Sequence, residues 1–227
     1  HLPLLEQVEG HLELIHIKSL ESLDLPHLNA AGDFTLSRNE GLALLHIPAL
    51  EGVIGHLEVL DNDALNELVI PKLQSVGAGL TISESETLER IALPTLDHVD
   101  EDLRIAENLA LQTLELERLT LVSGDVRLRD LASLEGAALP VIGAIEGELK
   151  VQENPLLHTL HVPALSALGS LSIWGNPALP QCLLDAMMGA LVVTGKVDFC
   201  DPWNSTLCNQ EGCTCDFSAQ ERVITCP

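Results

Sequence analysis

Large aromatic side chains are nearly absent: Phe, Trp and Tyr together make up 2% of the 227 residues, and there is no Tyr at all. A globular core normally fills irregular volume with such rings, so this core must be thin and regular, packed from Leu, Val and Ile. Basic residues are scarce too, 11 Lys and Arg against 34 Asp and Glu, a formal net charge of −23. Phosphate backbones are bound by neutralising them with Lys and Arg. The composition therefore excludes nucleic acid as a partner and disfavours an anionic membrane surface. It favours basic partners, bound cations, or a salty medium that screens exposed charge. No apolar run reaches the roughly 18 residues of a bilayer-spanning helix. The G-x-S-x-G, P-loop and H-E-x-x-H signatures are all missing, and no enzyme is expected.

Cysteine is missing from residues 1–181 and then clustered: Cys182, Cys200, Cys208, Cys213, Cys215 and Cys226. An even, clustered set reads as a disulfide-stapled segment made in an oxidising compartment, which places the chain outside the cell or on its surface. A zinc site is the rival reading. It is disfavoured because Cys213-x-Cys215 is too tight for the usual knuckle and no His follows the cluster.

What the chain does have is a repeat, and it decides the fold. Pro3, Pro26, Pro48, Pro71, Pro94, Pro140 and Pro163 are separated by 23, 22, 23, 23, 46 and 23 residues, with Glu117 in the vacant Pro position. Eight units of 22 or 23 residues follow. Each reads L-P-x-L-x-x-V-x-G-x-L-x-I-x-x-N-x-x-L-x-x-L-x. The L-x-I piece alternates with period two, as a strand with one buried face does. Its apolar pairs are Leu12 and Leu14, Phe34 and Leu36, Leu57 and Val59, and so on to Leu171 and Ile173. The Gly before it is read as permitting a sharp corner. Asn39, Asn62, Asn108, Asn154 and Asn176 form a column in which stacked amides can bond their own and neighbouring backbone, with Ile17, Ser85 and Leu131 as breaks. The expected fold is mainly β, a right-handed parallel β-solenoid of eight rungs about 4.8 Å apart.

The pattern changes near the end. Residues 1–181 are read as the solenoid and 182–227 as a helix plus cysteine-rich cap of the same domain. Residues 182–191, CLLDAMMGAL, favour a short helix. Gly195, Val197 and Phe199 repeat the strand motif as a partial ninth rung. Cys182 replaces a core residue of rung eight and Cys200 ends rung nine, so these two are expected to pair, although six cysteines allow 15 connectivities. Asn204-Ser205-Thr206 is a glycosylation sequon.

The unit resembles the receptor L-domain, the leucine-rich module of insulin and epidermal growth factor receptor ectodomains. It is more similar to the bacterial and fungal cell-surface versions. The resemblance covers residues 3–200, and the tail segments Asn176-Pro177-Ala178-Leu179-Pro180-Gln181-Cys182 and Cys213-Thr214-Cys215 look like the bacterial kind. It implies a cell-surface binding module or an envelope component. It carries over no ligand residue.

Several positions stand out as candidate sites. Rungs five to seven carry Asp102 with Arg104, Asp125 with Arg127, and Glu148 with Lys150, a row of acids beside a row of bases on the exposed sheet face. Arg104, Arg127 and Lys150 are candidate contacts for a protein partner, against the plainer reading of a surface salt-bridge ladder. Trp174, outward by alternation, is a candidate interface anchor unless the tail covers it. Asp61, Glu84, Glu107, Asp130 and Glu153 put one sign on five consecutive rungs, one position before the Asn column. Screening by water and salt, a basic partner, or weak Ca²⁺ binding between rungs would offset their repulsion. No other cofactor is expected. The expected function is extracellular or cell-surface recognition of a protein ligand, with a structural envelope or matrix role as the alternative.

Overall fold

The computed structural model describes residues 2–179, Met187 and 191–198. It is a parallel β-solenoid of about eight turns, and all of its strand pairs are parallel. Three ribbons of short strands form its sides. The main face stacks Gln7–Ile15, Ala30–Ser37, Leu57–Leu60, Leu80–Ser83, Leu103–Ala106, Val126–Arg129, Ala144–Gln152 and Ala167–Trp174 in sequence order. A second face holds two-residue strands such as Gly52–Val53, Ser75–Val76, His98–Val99 and Leu121–Val122. The longer strands run round the corner and join the two into one 14-stranded sheet. The third side carries strands such as Glu67–Val69, Arg90–Ala92 and Thr113–Glu115. A partial further turn is present, with Val192–Val193 against Ala167 and Leu168, and Val197–Asp198 against Leu171 and Ser172.

The register follows the apolar columns: Phe34 abuts Leu57, Leu57 abuts Leu80, and Leu103 abuts Val126. Each column is buried along its length, from Leu28 through Leu50, Leu73, Leu96, Leu119 and Ile142 to Leu165. Burial of each such side chain contributes about 1.5–3 kcal/mol before chain entropy is charged against it. The first turn is less covered, with Leu5, Val8, Leu12 and Leu14 only partly buried and Leu2, Leu4, Ile15 and Ile17 exposed.

Two expectations are corrected. Ser85 does not break the polar column. Its hydroxyl accepts the Asn62 N–H at 3.1 Å, and its own N–H donates to Asn108 Oδ1 at 3.1 Å. The corner glycines are not there for backbone freedom, because Gly175 is the only glycine with positive φ among the described residues. A Cβ at Gly55, Gly124 or Gly147 would instead overlap the carboxylate of Asp33, Asp102 or Asp125 on the preceding turn. These glycines leave room for a neighbour's side chain.

All six cysteines, Phe199, Trp203 and the Asn204 sequon lie outside the described residues. Of the helix expected at 182–191, Met187 is helical and buried, and its carbonyl accepts the Leu191 N–H at 3.2 Å. The rest of that segment, apart from Leu191, lies outside the described residues.

Candidate functional site: the charged face of the main sheet

The interior polar column sets the frame on which the face is mounted. Each asparagine reaches back one turn. Asn62 Oδ1 accepts the Asn39 N–H at 3.1 Å and Asn39 Nδ2 at 3.2 Å, while its Nδ2 donates to the carbonyls of Leu36 and Leu60 at 2.9 and 3.0 Å. Asn39, Asn154 and Asn176 repeat the pattern. Leu131 does break the column, since it offers no acceptor, and among the described residues none meets the Asn108 N–H. The residues before this column have φ between 52° and 60° in seven turns, at His16, Arg38, Asp61, Glu84, Glu107, Asp130 and Glu153, and Gly175 takes the place in the eighth. The acidic run is therefore also the left-handed corner of the solenoid. This conformation costs a non-glycine residue about 1–2 kcal/mol.

That corner answers part of its own charge. Arg104 Nη2 lies 2.7 Å from Glu107. Arg129 bridges Asp130 at 3.0 Å and Glu153 at 2.8 Å. Burial, and then the neighbouring Glu153 carboxylate, hold the Asp130 carboxyl above its ordinary range. Among the described residues no group of three or more His, Cys, Asp or Glu is placed to hold a metal ion. The five acids line one edge without converging.

On the main face the two rows meet at Asp125, which takes both Arg127 and Lys150, while Arg104 pairs with Glu107. Arg104, Arg127 and Lys150 stand abreast in register. Asp102 and Asp125 sit one step before their strands and have a second task. Asp102 Oδ1 accepts the Asp125 N–H at 2.8 Å, and Asp125 Oδ1 accepts the Glu148 N–H at 2.8 Å. The same corner bond is made by Asp33 to the His56 N–H at 2.7 Å, by His56 Nδ1 to the Gly79 N–H at 3.2 Å, and by Ser170 Oγ to the Lys196 N–H at 3.1 Å. His11 and His56, which share this column with Asp33 between them, are thus bonded into the scaffold, His11 through Nδ1 to Asp33 at 2.5 Å. With one oxygen fixed, the other oxygen of Asp125 receives Arg127 Nη2 and Lys150 Nζ, each at 2.8 Å. Lys150 also reaches Glu148 at 3.1 Å, and Arg127 reaches Asp102 at 3.3 Å. Burial alone would raise the Asp125 pKa. The bonds from Lys150, the Glu148 N–H and Arg127 outweigh it and pull the group down to about 2.

Trp174 is half-buried beside Gln152 at the end of the last full strand, and Ser172, outward by alternation, is buried. Sequence reasoning found the two charged rows and missed the corner bonds. The signal was the pairing of each such Asp with a Gly one turn later, as in Asp33 with Gly55 and Asp102 with Gly124. No family model matches the chain, and neither a curated protein nor a solved structure matches it.

Proposed function

We propose that the chain is an extracellular or cell-surface recognition module that binds a protein through the charged face of its main sheet. One observation carries the reading. Arg127 and Lys150 are held by Asp125, and Arg127 also by Asp102, acids that are themselves fixed to the backbone of the next turn, while Arg104 stands in register with them and is paired to Glu107. A surface ordered before binding loses little conformational entropy on docking. An alternating array of fixed charge selects a partner by complementarity and rejects like-charged ones. Five of the 11 Lys and Arg residues, Arg104, Arg118, Arg127, Arg129 and Lys150, lie on these three turns of an otherwise acidic chain. The reading includes a right-handed leucine-rich solenoid of the receptor L-domain kind. It also includes a disulfide-braced C-terminal cap, supported by the clustered cysteines.

The test is a binding screen of the immobilised chain against secreted and surface proteins, repeated with an Arg104→Ser/Arg127→Ser/Lys150→Ser variant. A protein retained by the parent and lost by the variant is the expected result. Partners bound equally by both, or an empty screen, overturn the assignment of this face. A structural envelope or matrix role is a second reading, favoured by one feature: Leu2, Leu4, Ile15 and Ile17 expose an apolar end to the solenoid. Concentration-dependent self-association on a sizing column, abolished by Ile15→Lys/Ile17→Lys, would support it.

A further inference from the structure

The row of corner residues lacks a side chain at one position, Gly79. Gly79 occupies the place held by His56 one turn earlier and by Asp102 one turn later, and it has no side chain to accept the next backbone N–H. Among the described residues no acceptor meets the Asp102 N–H, while the neighbouring Asp100 and Glu101 amides bond to the Val76 and Ala78 carbonyls. The vacancy opens a concavity of about 510 Å³, walled by His56, Glu58, Thr81, Asp100, Glu101 and Asp102. Asp102 is paired with Arg127. Among the described residues Glu58, Asp100 and Glu101 face no cation within ion-pair distance, whereas the acids of the turns beyond are bridged by Arg127, Arg129 and Lys150. The notch therefore brings together an unbonded backbone N–H, that of Asp102 in its lining, and carboxylates that face no cation among the described residues.

A lone cation satisfies the carboxylates and leaves the N–H unbonded. An anion would bond the N–H and be repelled by the carboxylates. A lysine or arginine residue in a polypeptide carries both complements, a carbonyl oxygen for the N–H and a cationic head for the carboxylates. We infer that the notch over Gly79 is a subsite for a basic residue of a protein partner. This rests on the reading of the main face as a protein-binding surface, and names the chemistry of one contact on it. The sequence around the notch is consistent with its being kept open. Where the corner acceptor is present, the residue one turn on is Gly or Ala: Gly55 after Asp33, Ala78 after His56, Gly124 after Asp102, Gly147 after Asp125. After Gly79 it is Glu101, whose Cβ would crowd an acceptor at position 79 as a Cβ at Gly124 would crowd Asp102. The turn thus exchanges a structural bond for a carboxylate in the lining.

The experiment follows backbone amide resonances of the whole chain during titration with N-acetyl-lysine methylamide. N-acetyl-norleucine methylamide and a methyl glycoside serve as comparison probes. A saturable downfield shift of the Asp102 amide with the lysine probe alone is expected. A Gly79→Ser/Glu101→Gly variant rebuilds the corner found at Ser170 with Gly195, so it keeps the fold and is expected to abolish the shift. Glu101→Gln, which keeps the notch, should weaken binding several-fold. The inference is overturned by no saturable shift, by an equal response to norleucine or glycoside, or by a response retained in the double variant. Loss of the lysine response alone would sink this subsite. Loss of partner binding only in the Arg104/Arg127/Lys150 variant would bear on the wider face.

Discussion

Replacing Asn62 with Ala tests whether the interior amides hold the turns together. The Asn39 N–H sits at a fully buried residue and has Asn62 Oδ1 as its acceptor. In Asn62→Ala that donor is stranded, which costs about 1–3 kcal/mol. The bonds from Asn39 Nδ2 and to the Leu36 and Leu60 carbonyls are lost as well. Each is worth about 0.5–1.5 kcal/mol net, less where the partner keeps another bond, as Asn39 Nδ2 does with the Leu14 carbonyl. The sum is a destabilisation of about 3–5 kcal/mol. In urea unfolding followed by circular dichroism this should move the midpoint down by on the order of 1–2 M. Asn62→Ser separates the two contributions. Ser85 demonstrates that a hydroxyl in this column accepts the N–H of the turn before, so Asn62→Ser should lose roughly half as much. An Ala variant within about 1 kcal/mol of the parent, or a Ser variant no better than Ala, would refute the reasoning.

Further outcomes follow from the same geometry. In hydrogen exchange, the Asn108 amide should be less protected than those of Asn39, Asn62 and Asn154, because Leu131 offers it no acceptor. Glu84 has φ of 60° and no ion-pair partner among the described residues. Glu84→Asn should therefore raise the thermal midpoint by roughly 2–4 °C, and a lower midpoint would contradict the cost assigned to this corner. The Asp125 carboxyl is held near 2, below its unfolded value of 3.8. Its contribution to stability is present above the unfolded value and fades as pH falls towards 2. Carboxyl NMR should show that midpoint rise in Lys150→Met, and an unmoved midpoint would remove Lys150 from the account. Millimolar Ca²⁺ should raise the melting midpoint no more than NaCl of equal ionic strength, since Arg104 and Arg129 already bridge the acidic corner. An excess rise specific to Ca²⁺ would restore an ion to that edge.

The columns of the fold were legible because apolar side chains must recur at each turn to be buried, and a period is visible without coordinates. The outward rows were legible by alternation alone, which is why Arg104, Arg127 and Lys150 were placed correctly. Three features were not. The left-handed corner is occupied by Asp and Glu rather than Gly, so no residue type announces it. The role of Gly55 and Gly124 depends on a side chain one turn away, and a glycine alone reads as backbone freedom. Ser85 reads as a gap in a column of amides, whereas the site asks first for an oxygen.

The asparagine bonds all point the same way, and that direction matters while the chain is being made. The oxygen that completes the Asn39 turn belongs to Asn62, 23 residues later. A chain leaving the ribosome thus carries one unfinished turn, always the most recent, and each new turn closes the one before it. Settling proceeds from the first turn towards the last, and contacts with distant sequence are never required. A chain shortened within the array leaves open the column amide of its last turn together with the strand amides that donate to the following turn, as Phe34 does to the His56 carbonyl; a chain ending at the Asn108 turn loses one bond fewer, because that amide is open already.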